Sequence, residues 1–177
     1  TNTITMPAAT GTMALTSTAG KVVQIVNYQT GAVATGTTLL PWGDSIPQIT
    51  EGDEYMTLAI TPTSATSGLL IEVVAQSSFS VAHCYSQVAL FQDSTANALA
   101  ATSSFVADAV QIQGSRGFIY RMVSGTTSST TFRVRIGSET YLGGGVGTTT
   151  FNGSTTSGVR TMGGVCSSSI TITEYTV

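Results

Sequence analysis

The chain has 177 residues, of which 41% are hydrophobic and only 8% are charged, and its net charge is −3. This length suits one domain with a substantial core, and the charged fraction lies far below the roughly 25% of a typical soluble domain. One lysine and five scattered arginines disfavour nucleic-acid binding, which needs clustered cations. No apolar stretch reaches the roughly 18–20 residues that span a bilayer, so we expect no membrane insertion.

The first twenty residues, TNTITMPAATGTMALTSTAG, contain two short strand-like pieces hinged at Pro7 and Gly11, and they carry no charged side chain. Strands this short need a partner surface, which the same segment of neighbouring copies would supply. We therefore predict that residues 1–20 form a neck or shaft that contributes to trimerisation. Residues 21–177 are predicted to form the head domain.

The rest of the chain alternates apolar and polar side chains with a period of two, which is typical of half-buried antiparallel strands. In chain order the candidate strands are KVVQIVNY (21–28), EYMTLAIT (54–61), GLLIEVVAQ (68–76), SQVALFQD (86–93), FVADAVQIQ (105–113), GFIYRMVSG (117–125), TFRVRIG (131–137) and SSITITEY (168–175). The first of these is apolar on both faces, which predicts a strand covered by two layers. The segment 93–104 is either a helical turn capped by Asp93 or a plain loop.

Loops rich in Gly, Ser and Thr separate these strands at 61–68, 124–130 and 142–150. Asn152–Gly153 is a dipeptide that favours a two-residue hairpin turn. Eight or more short strands at this spacing predict an all-β fold, namely an antiparallel β-sandwich that is jelly-roll-like.

Groups suited to catalysis or metal binding are sparse. His83 is the sole histidine, so no two-histidine metal site can form. Carboxylates cluster only in EGDE (51–54), which favours a solvated turn over a calcium site. No G-x-S-x-G motif is present. We therefore expect no enzyme activity, no catalytic or metal-ligating residue and no cofactor. Cys84 and Cys166 are expected to be buried free thiols, with one cross-link between them as the alternative.

Recognition through loops is the remaining type of function. Tyr141 and Phe151 flank the glycine-rich stretch 143–147, and Asn152 lies at the predicted hairpin tip. Aromatic faces beside Asn and Thr groups suit sugar rings, whose C–H faces stack while their hydroxyls form hydrogen bonds. Tyr141, Phe151, Asn152 and Arg160 are therefore our candidate receptor-binding residues, and core-capping aromatics are the alternative. Trp42, in LLPWGDS, is expected to be a half-buried plug over the end of the core rather than a ligand platform.

Several strings resemble the fibre proteins of tailed bacteriophages. ITMPAATGTMALTS resembles the strand-pair repeat that ends many tail-fibre shafts, while GDEYMTLAITPTSA, VALFQDSTANALA and SSITITEY look like a domain common in phage fibre and virion proteins. Together the stretches that resemble fibre proteins cover about half of the chain. The resemblance implies a jelly-roll-like head on a β-structured stalk, a homotrimer and a location in the virion. It carries no ligand residues over to this sequence.

The predicted function is therefore that of a tail-fibre tip, part of the virion and extracellular after release. Its loops would attach to a bacterial surface glycan or outer-membrane protein. Its other partners would be sister copies in the homotrimer and further virion proteins, and several weakly binding fibres would together give firm attachment. The alternative is a capsid decoration or cement protein that stabilises the phage shell, and a spike depolymerase fragment is a third, less favoured interpretation.

Overall fold

The computed structural model describes residues 20–106, 113–141, 145, 147–155 and 159–177. Regular structure in these ranges consists of ten β-strands and one short 3₁₀ turn, Thr161–Gly164. Among these residues, none belongs to a helix that is both long and apolar enough to cross a membrane. The predicted neck lies outside the described residues apart from Gly20, so its role in trimerisation stays a prediction.

The strands are, in chain order, β1 (Val22–Thr30), β2 (Ala34–Gly36), β3 (Asp53–Ile60), β4 (Gly68–Phe79), β5 (Cys84–Gln92), β6 (Ala100–Val106), β7 (Gly114–Val123), β8 (Thr130–Thr140), β9 (Thr149–Phe151) and β10 (Ser168–Tyr175).

These strands form two sheets in which every pair is antiparallel. The first sheet has the order β1-β10-β4-β9-β2, and β7 also pairs with β4. The second sheet has the order β3-β8-β5-β6. The prediction of an all-β, antiparallel β-sandwich is therefore confirmed.

The core lies between the two sheets and follows from the period-two pattern. In β4, Ile71 and Val73 are buried, and in β8 Phe132, Val134 and Ile136 are buried in the same cluster. Residues two apart in a strand face the same side of the sheet, so each alternating segment contributes one buried row. Each aliphatic or aromatic side chain buried in this way stabilises the fold by roughly 1.5–3 kcal/mol.

Two local predictions need correction. KVVQIVNY is not covered on both faces, because Val22, Val23 and Ile25 are exposed while Val26 packs against the core. Among the described strands it lies at an edge of its sheet. The segment 93–104 forms turns and then enters β6 at Ala100, with no helical turn. Of FVADAVQIQ, the first two residues end β6, and 107–112 lie outside the described residues.

Both cysteines are free thiols. Cys84 is buried, as expected, whereas Cys166 is only half-buried. The Cys84 thiol donates to the Val81 carbonyl oxygen at 3.4 Å, and burial raises its pKa, against the opposing effect of the nearby Arg116 cation. Raising the thiol pKa keeps Cys84 protonated and unreactive.

The sandwich has two distinct ends. At one end, Cys84 pairs with both Val106 and Thr140, so β5 begins where β6 and β8 finish. The link 80–83 brings the end of β4 to the same place. Thr30 at the end of β1 pairs with Ser168 at the start of β10. We call this the loop end.

At the opposite end, the Gly20 N–H donates to the Thr176 carbonyl oxygen at 2.7 Å. Gly68, which begins β4, pairs there with Tyr175 and Val123. The described chain therefore enters and leaves the sandwich at this end, which we call the terminal end.

Candidate functional site

The segment 37–49 crosses the outer face of the second sheet and positions the candidate site. Leu40 forms a small cluster with Ala89 and Phe91 of β5, and all three are fully buried. Gly137 of β8 permits this close approach, because a Cβ atom there would lie 2.6 Å from Leu40 Cβ and 2.9 Å from Leu40 N. A side chain at 137 would therefore push the crossing segment away from the sheet.

Hydrogen bonds fix the same segment in place. Thr38 donates to the Asp53 carboxylate from its N–H at 2.9 Å and from its hydroxyl at 2.7 Å. Gln87, in the amide orientation that satisfies its neighbours, donates to the carbonyl oxygen of Leu40 at 3.2 Å. The Trp42 N–H donates to Glu139 Oε2 at 2.6 Å. The backbone up to Trp42 is therefore held against the sheet.

The acidic run 51–54 has structural partners. Asp53 holds Thr38, and Glu54 forms ion pairs with Arg133 at 2.9 Å and with Arg135 at 3.4 Å. Within the part of the chain that the structure describes, no three His, Cys, Asp or Glu side chains are grouped closely enough to hold a metal ion.

Four aromatic side chains, Trp42, Tyr85, Phe105 and Tyr141, form a cluster on the outer face of the second sheet at the loop end. Trp42 stacks on Tyr85 with ring centroids 4.1 Å apart and planes inclined by 6°. Tyr85 lies directly opposite Phe105 in β6, with 5.3 Å between their centroids. Tyr141 lies 6.1 Å from Tyr85 and 5.9 Å from Phe105. We call these four residues the aromatic patch.

The aromatic patch faces solvent. Trp42 is 54% exposed, Phe105 48% and Tyr141 61%. Grouped aromatic side chains at a protein surface mark contact sites, because they offer a large apolar area together with polar edges. The patch is therefore the strongest candidate for a recognition surface among the described residues.

Two depressions flank the aromatic patch. One, of about 220 Å³, lies beside Trp42 and is also lined by Ser45, Gln87 and Ser103. The other, of about 440 Å³, is lined by Ala82, His83, Thr140 and Tyr141. The His83 carbonyl oxygen accepts a hydrogen bond from the Tyr141 N–H at 2.7 Å, which ties the patch to the loop 80–83.

The structure separates the four residues predicted from the sequence to bind a receptor. Tyr141 belongs to the aromatic patch. Phe151 is only 2% exposed and stacks on Tyr55 at 5.0 Å, so it caps the core, which was the alternative interpretation. Arg160 is exposed and lines a separate groove with Val33 and Val159.

Asn152 is fully buried. Its amide donates to the carbonyl oxygens of Thr30 at 2.8 Å and Ala32 at 3.2 Å, and its Oδ1 accepts from the Ser168 hydroxyl at 2.7 Å. It is not the tip of a two-residue hairpin, because Gly153 pairs with Arg160 after a longer excursion of the chain. Phe151 and Asn152 thus lie inside the protein, where their side chains satisfy internal contacts.

Three members of the aromatic patch were not among the predicted binding residues. Trp42 was expected to plug the end of the core, but Leu40 takes the buried position and Trp42 stays outside. Tyr85 and Phe105 gave no separate signal, because each is one aromatic residue within an ordinary strand pattern. Their proximity to each other follows only from the pairing of β5 with β6.

No protein-family model matches the sequence, and no curated protein resembles it significantly. Among solved structures, the fold is similar to a chain in the structure of infectious bursal disease virus strain Gx, with 13% identity, a TM-score of 0.47, and coverage of 97% of this chain and 37% of that one. It is also similar to the VP2 subviral particle of the same virus, with 16% identity, a TM-score of 0.43, and coverage of 97% and 42%. A chain in the structure of the Gt strain is also similar, with 12% identity, a TM-score of 0.41, and coverage of 97% of this chain and 43% of that one. The chain thus spans about 37–43% of the length of these neighbours. At such low similarity, its function must be inferred from its own residues.

Proposed function

We propose that the protein is a structural component of a virion, and specifically the tip of a phage tail fibre that attaches to a bacterial surface glycan or outer-membrane protein. The observation that carries the proposal is the aromatic patch at the loop end. Gly20 and Thr176 meet at the opposite, terminal end. A stalk that continued from the terminal end would therefore present the patch outwards, towards a cell.

The composition of the patch suits this role. Trp and Tyr side chains are rigid and amphipathic, and they dominate the binding energy of many recognition surfaces. Tyr85 and Phe105 lie on neighbouring strands, which hold them more firmly than loops would. Weak binding at one such surface becomes firm attachment when several copies engage a cell together.

Self-association, with a homotrimer as the specific form, belongs to the same proposal. The outer face of the first sheet exposes aliphatic side chains: Ile25 is 61% exposed, Ile119 63% and Val123 57%. Contact between copies would remove this apolar surface from water and cover strand edges that otherwise invite aggregation. Light scattering at micromolar concentration should give three times the chain mass of 18.2 kDa. A monomer under those conditions would contradict this part of the proposal.

Adsorption of the purified protein to a panel of bacterial strains tests attachment. Tyr141→Ala and Phe105→Ala should lower adsorption by about tenfold or more, as expected for central aromatic contacts. Tyr28→Ala is a matched control, since Tyr28 is an aromatic residue of β1 that is 39% exposed outside the patch. Arg160→Ala tests whether Arg160, the other exposed residue among the predicted receptor-binding residues, contributes to adsorption.

The outcomes separate the possible functions. Adsorption to some strain, lost in both patch variants and kept in Tyr28→Ala, supports the fibre tip. Absence of adsorption to every strain, or equal adsorption by all variants, contradicts it. Saturable binding to undecorated phage shells without binding to cells would instead favour the capsid decoration protein.

A further inference from the structure

We infer that Trp42 and the groove beside it form a binding subsite for a neutral saccharide ring. This inference deepens the proposed function and rests on it, because it names the chemical class that the surface at the loop end would recognise. It concerns one ring bound at one subsite, and neighbouring parts of the patch would contact the rest of a longer glycan.

Trp42 is a fixed platform with one free face. Tyr85 covers one face of the indole at 4.1 Å with nearly parallel planes, yet 54% of Trp42 remains exposed. Its backbone is held by the hydrogen bond to Glu139 and by Leu40, two residues earlier, which is fully buried. A platform that is already fixed loses little conformational entropy when a ligand stacks on it.

The groove supplies the polar groups that a sugar needs. Besides Trp42 it is lined by Ser45 and Ser103, which carry hydroxyl groups, and by Gln87, whose amide nitrogen donates to the Leu40 carbonyl oxygen. Ser103 is an exposed residue of β6 and lies directly opposite Gln87 of β5. A pyranose that stacks its C–H face on Trp42 would turn its hydroxyl edge towards these groups. Polar groups placed around an apolar platform fix the orientation of a bound ligand.

The groove itself has room for a single ring. Its volume is about 220 Å³, which lies below the roughly 300–1,000 Å³ of sites that enclose drug-sized molecules. A shallow subsite of this kind binds weakly by itself, and attachment would depend on several copies acting together.

The charges around the groove favour a neutral sugar. None of the described residues that line it carries an ionisable side chain. Two carboxylates lie beside it: Asp44 lines the adjoining depression and Glu139 accepts the hydrogen bond from the Trp42 N–H. The carboxylate of a sialic or uronic acid would meet negative charge here and no cation among the lining residues, which is unfavourable.

The test titrates the protein with glucose, galactose, N-acetylglucosamine and N-acetylgalactosamine as neutral probes, and with N-acetylneuraminic acid and glucuronic acid as acidic probes. Trp42 is the sole tryptophan, so its fluorescence reports occupancy directly. Saturation-transfer NMR follows the variants that lack it. At least one neutral probe should bind saturably at millimolar concentration, and neither acidic probe should do so.

Three variants test whether saccharide binding depends on the aromatic ring of Trp42. Trp42→Ala should weaken saccharide binding by about tenfold or more. Trp42→Phe keeps an aromatic plane and should retain binding within about threefold. Tyr28→Ala should bind as the parent protein does. Binding of no neutral probe, equal binding of the acidic probes, or unchanged binding by Trp42→Ala would each overturn the inference.

Cell adsorption measured on the same samples distinguishes this inference from the proposed function. If the protein adsorbs to cells through Tyr141 and Phe105 but binds no neutral saccharide, the proposed function is supported and the saccharide subsite is refuted. If the protein binds a neutral saccharide at Trp42 but adsorbs to no strain, the saccharide subsite is supported and the proposed function is refuted.

Discussion

Replacing Glu174 by glutamine should destabilise the protein at neutral pH and leave it nearly unchanged at pH 2. Glu174 has no exposed surface. Its carboxylate accepts hydrogen bonds from Gln24 Nε2 at 2.6 Å, from the Thr63 N–H at 2.8 Å and from the Thr63 hydroxyl at 2.7 Å. Burial by itself would raise the pKa of this carboxyl, but the hydrogen bonds from Gln24, Ser67 and Thr63 outweigh it and lower the pKa from 4.5 to about 2.

The size and direction of the effect follow from this shift. One pKa unit corresponds to about 1.36 kcal/mol, so a shift from 4.5 to about 2 corresponds to at most about 3 kcal/mol of folding free energy. The folded pKa lies below the unfolded one, which means that the ionised carboxylate favours the folded state. Its contribution is complete above about pH 4.5 and is lost as the pH falls towards 2.

Urea denaturation followed by circular dichroism at pH 7, 4.5, 3 and 2 measures this contribution. The difference in unfolding free energy between the parent protein and Glu174→Gln should be roughly 2–3 kcal/mol at pH 7 and should approach zero at pH 2. Glu72→Gln, at an exposed position of the neighbouring strand β4, is the control and should have little effect. No difference at pH 7, or a difference that does not depend on pH, would refute the role given to these hydrogen bonds.

Two further predictions concern the aromatic residues and the crossing segment. Phe151→Ala should cost about 3–5 kcal/mol of stability because Phe151 is buried, whereas Tyr141→Ala should stay within about 0.5 kcal/mol; equal melting temperatures for the two variants would contradict their placement. Gly137→Ala should displace the segment 37–49 and change the fluorescence of Trp42, whereas Gly43→Ala, where an added Cβ meets nothing within 4 Å, should leave it unchanged. An unaltered spectrum for both glycine variants would show that the segment does not depend on close approach at 137.

The fold class was predictable because apolar and polar side chains alternate along nearly every long strand. TFRVRIG and SSITITEY place their aliphatic residues in one buried row each, as their period of two requires. The strands β2 and β9 were not predicted. Each has three residues, which is too short to show a period, and each lies within a sequence rich in Gly and Thr.

The layers that cover each strand were harder to predict. KVVQIVNY and SQVALFQD both carry apolar side chains on two faces, yet only SQVALFQD is buried by other parts of the protein on both faces. Its outer cover comes from Leu40, about fifty residues away in sequence, which packs on Ala89 and Phe91. A local pattern shows that a strand has two apolar faces, but it does not show which distant segment covers the outer one.

The candidate site was only partly predictable for the same reason. Tyr141 was identified because it stands beside a glycine-rich stretch, whereas Trp42, Tyr85 and Phe105 meet through strand pairing and through the path of the crossing segment. Phe151 has a similar local context to Tyr141, but it belongs to a short strand that faces the core. Exposure of these two aromatic residues therefore depends on three-dimensional packing that the local sequence does not encode.

The hydrogen bond between Gly20 and Thr176 has a practical consequence for engineering. A sandwich in which Gly20 and Thr176 lie side by side can be inserted into another protein as one unit, because the host polypeptide needs only one attachment point to carry it. Grafting residues 20–177 onto an unrelated trimeric scaffold should transfer the aromatic surface without rerouting any strand.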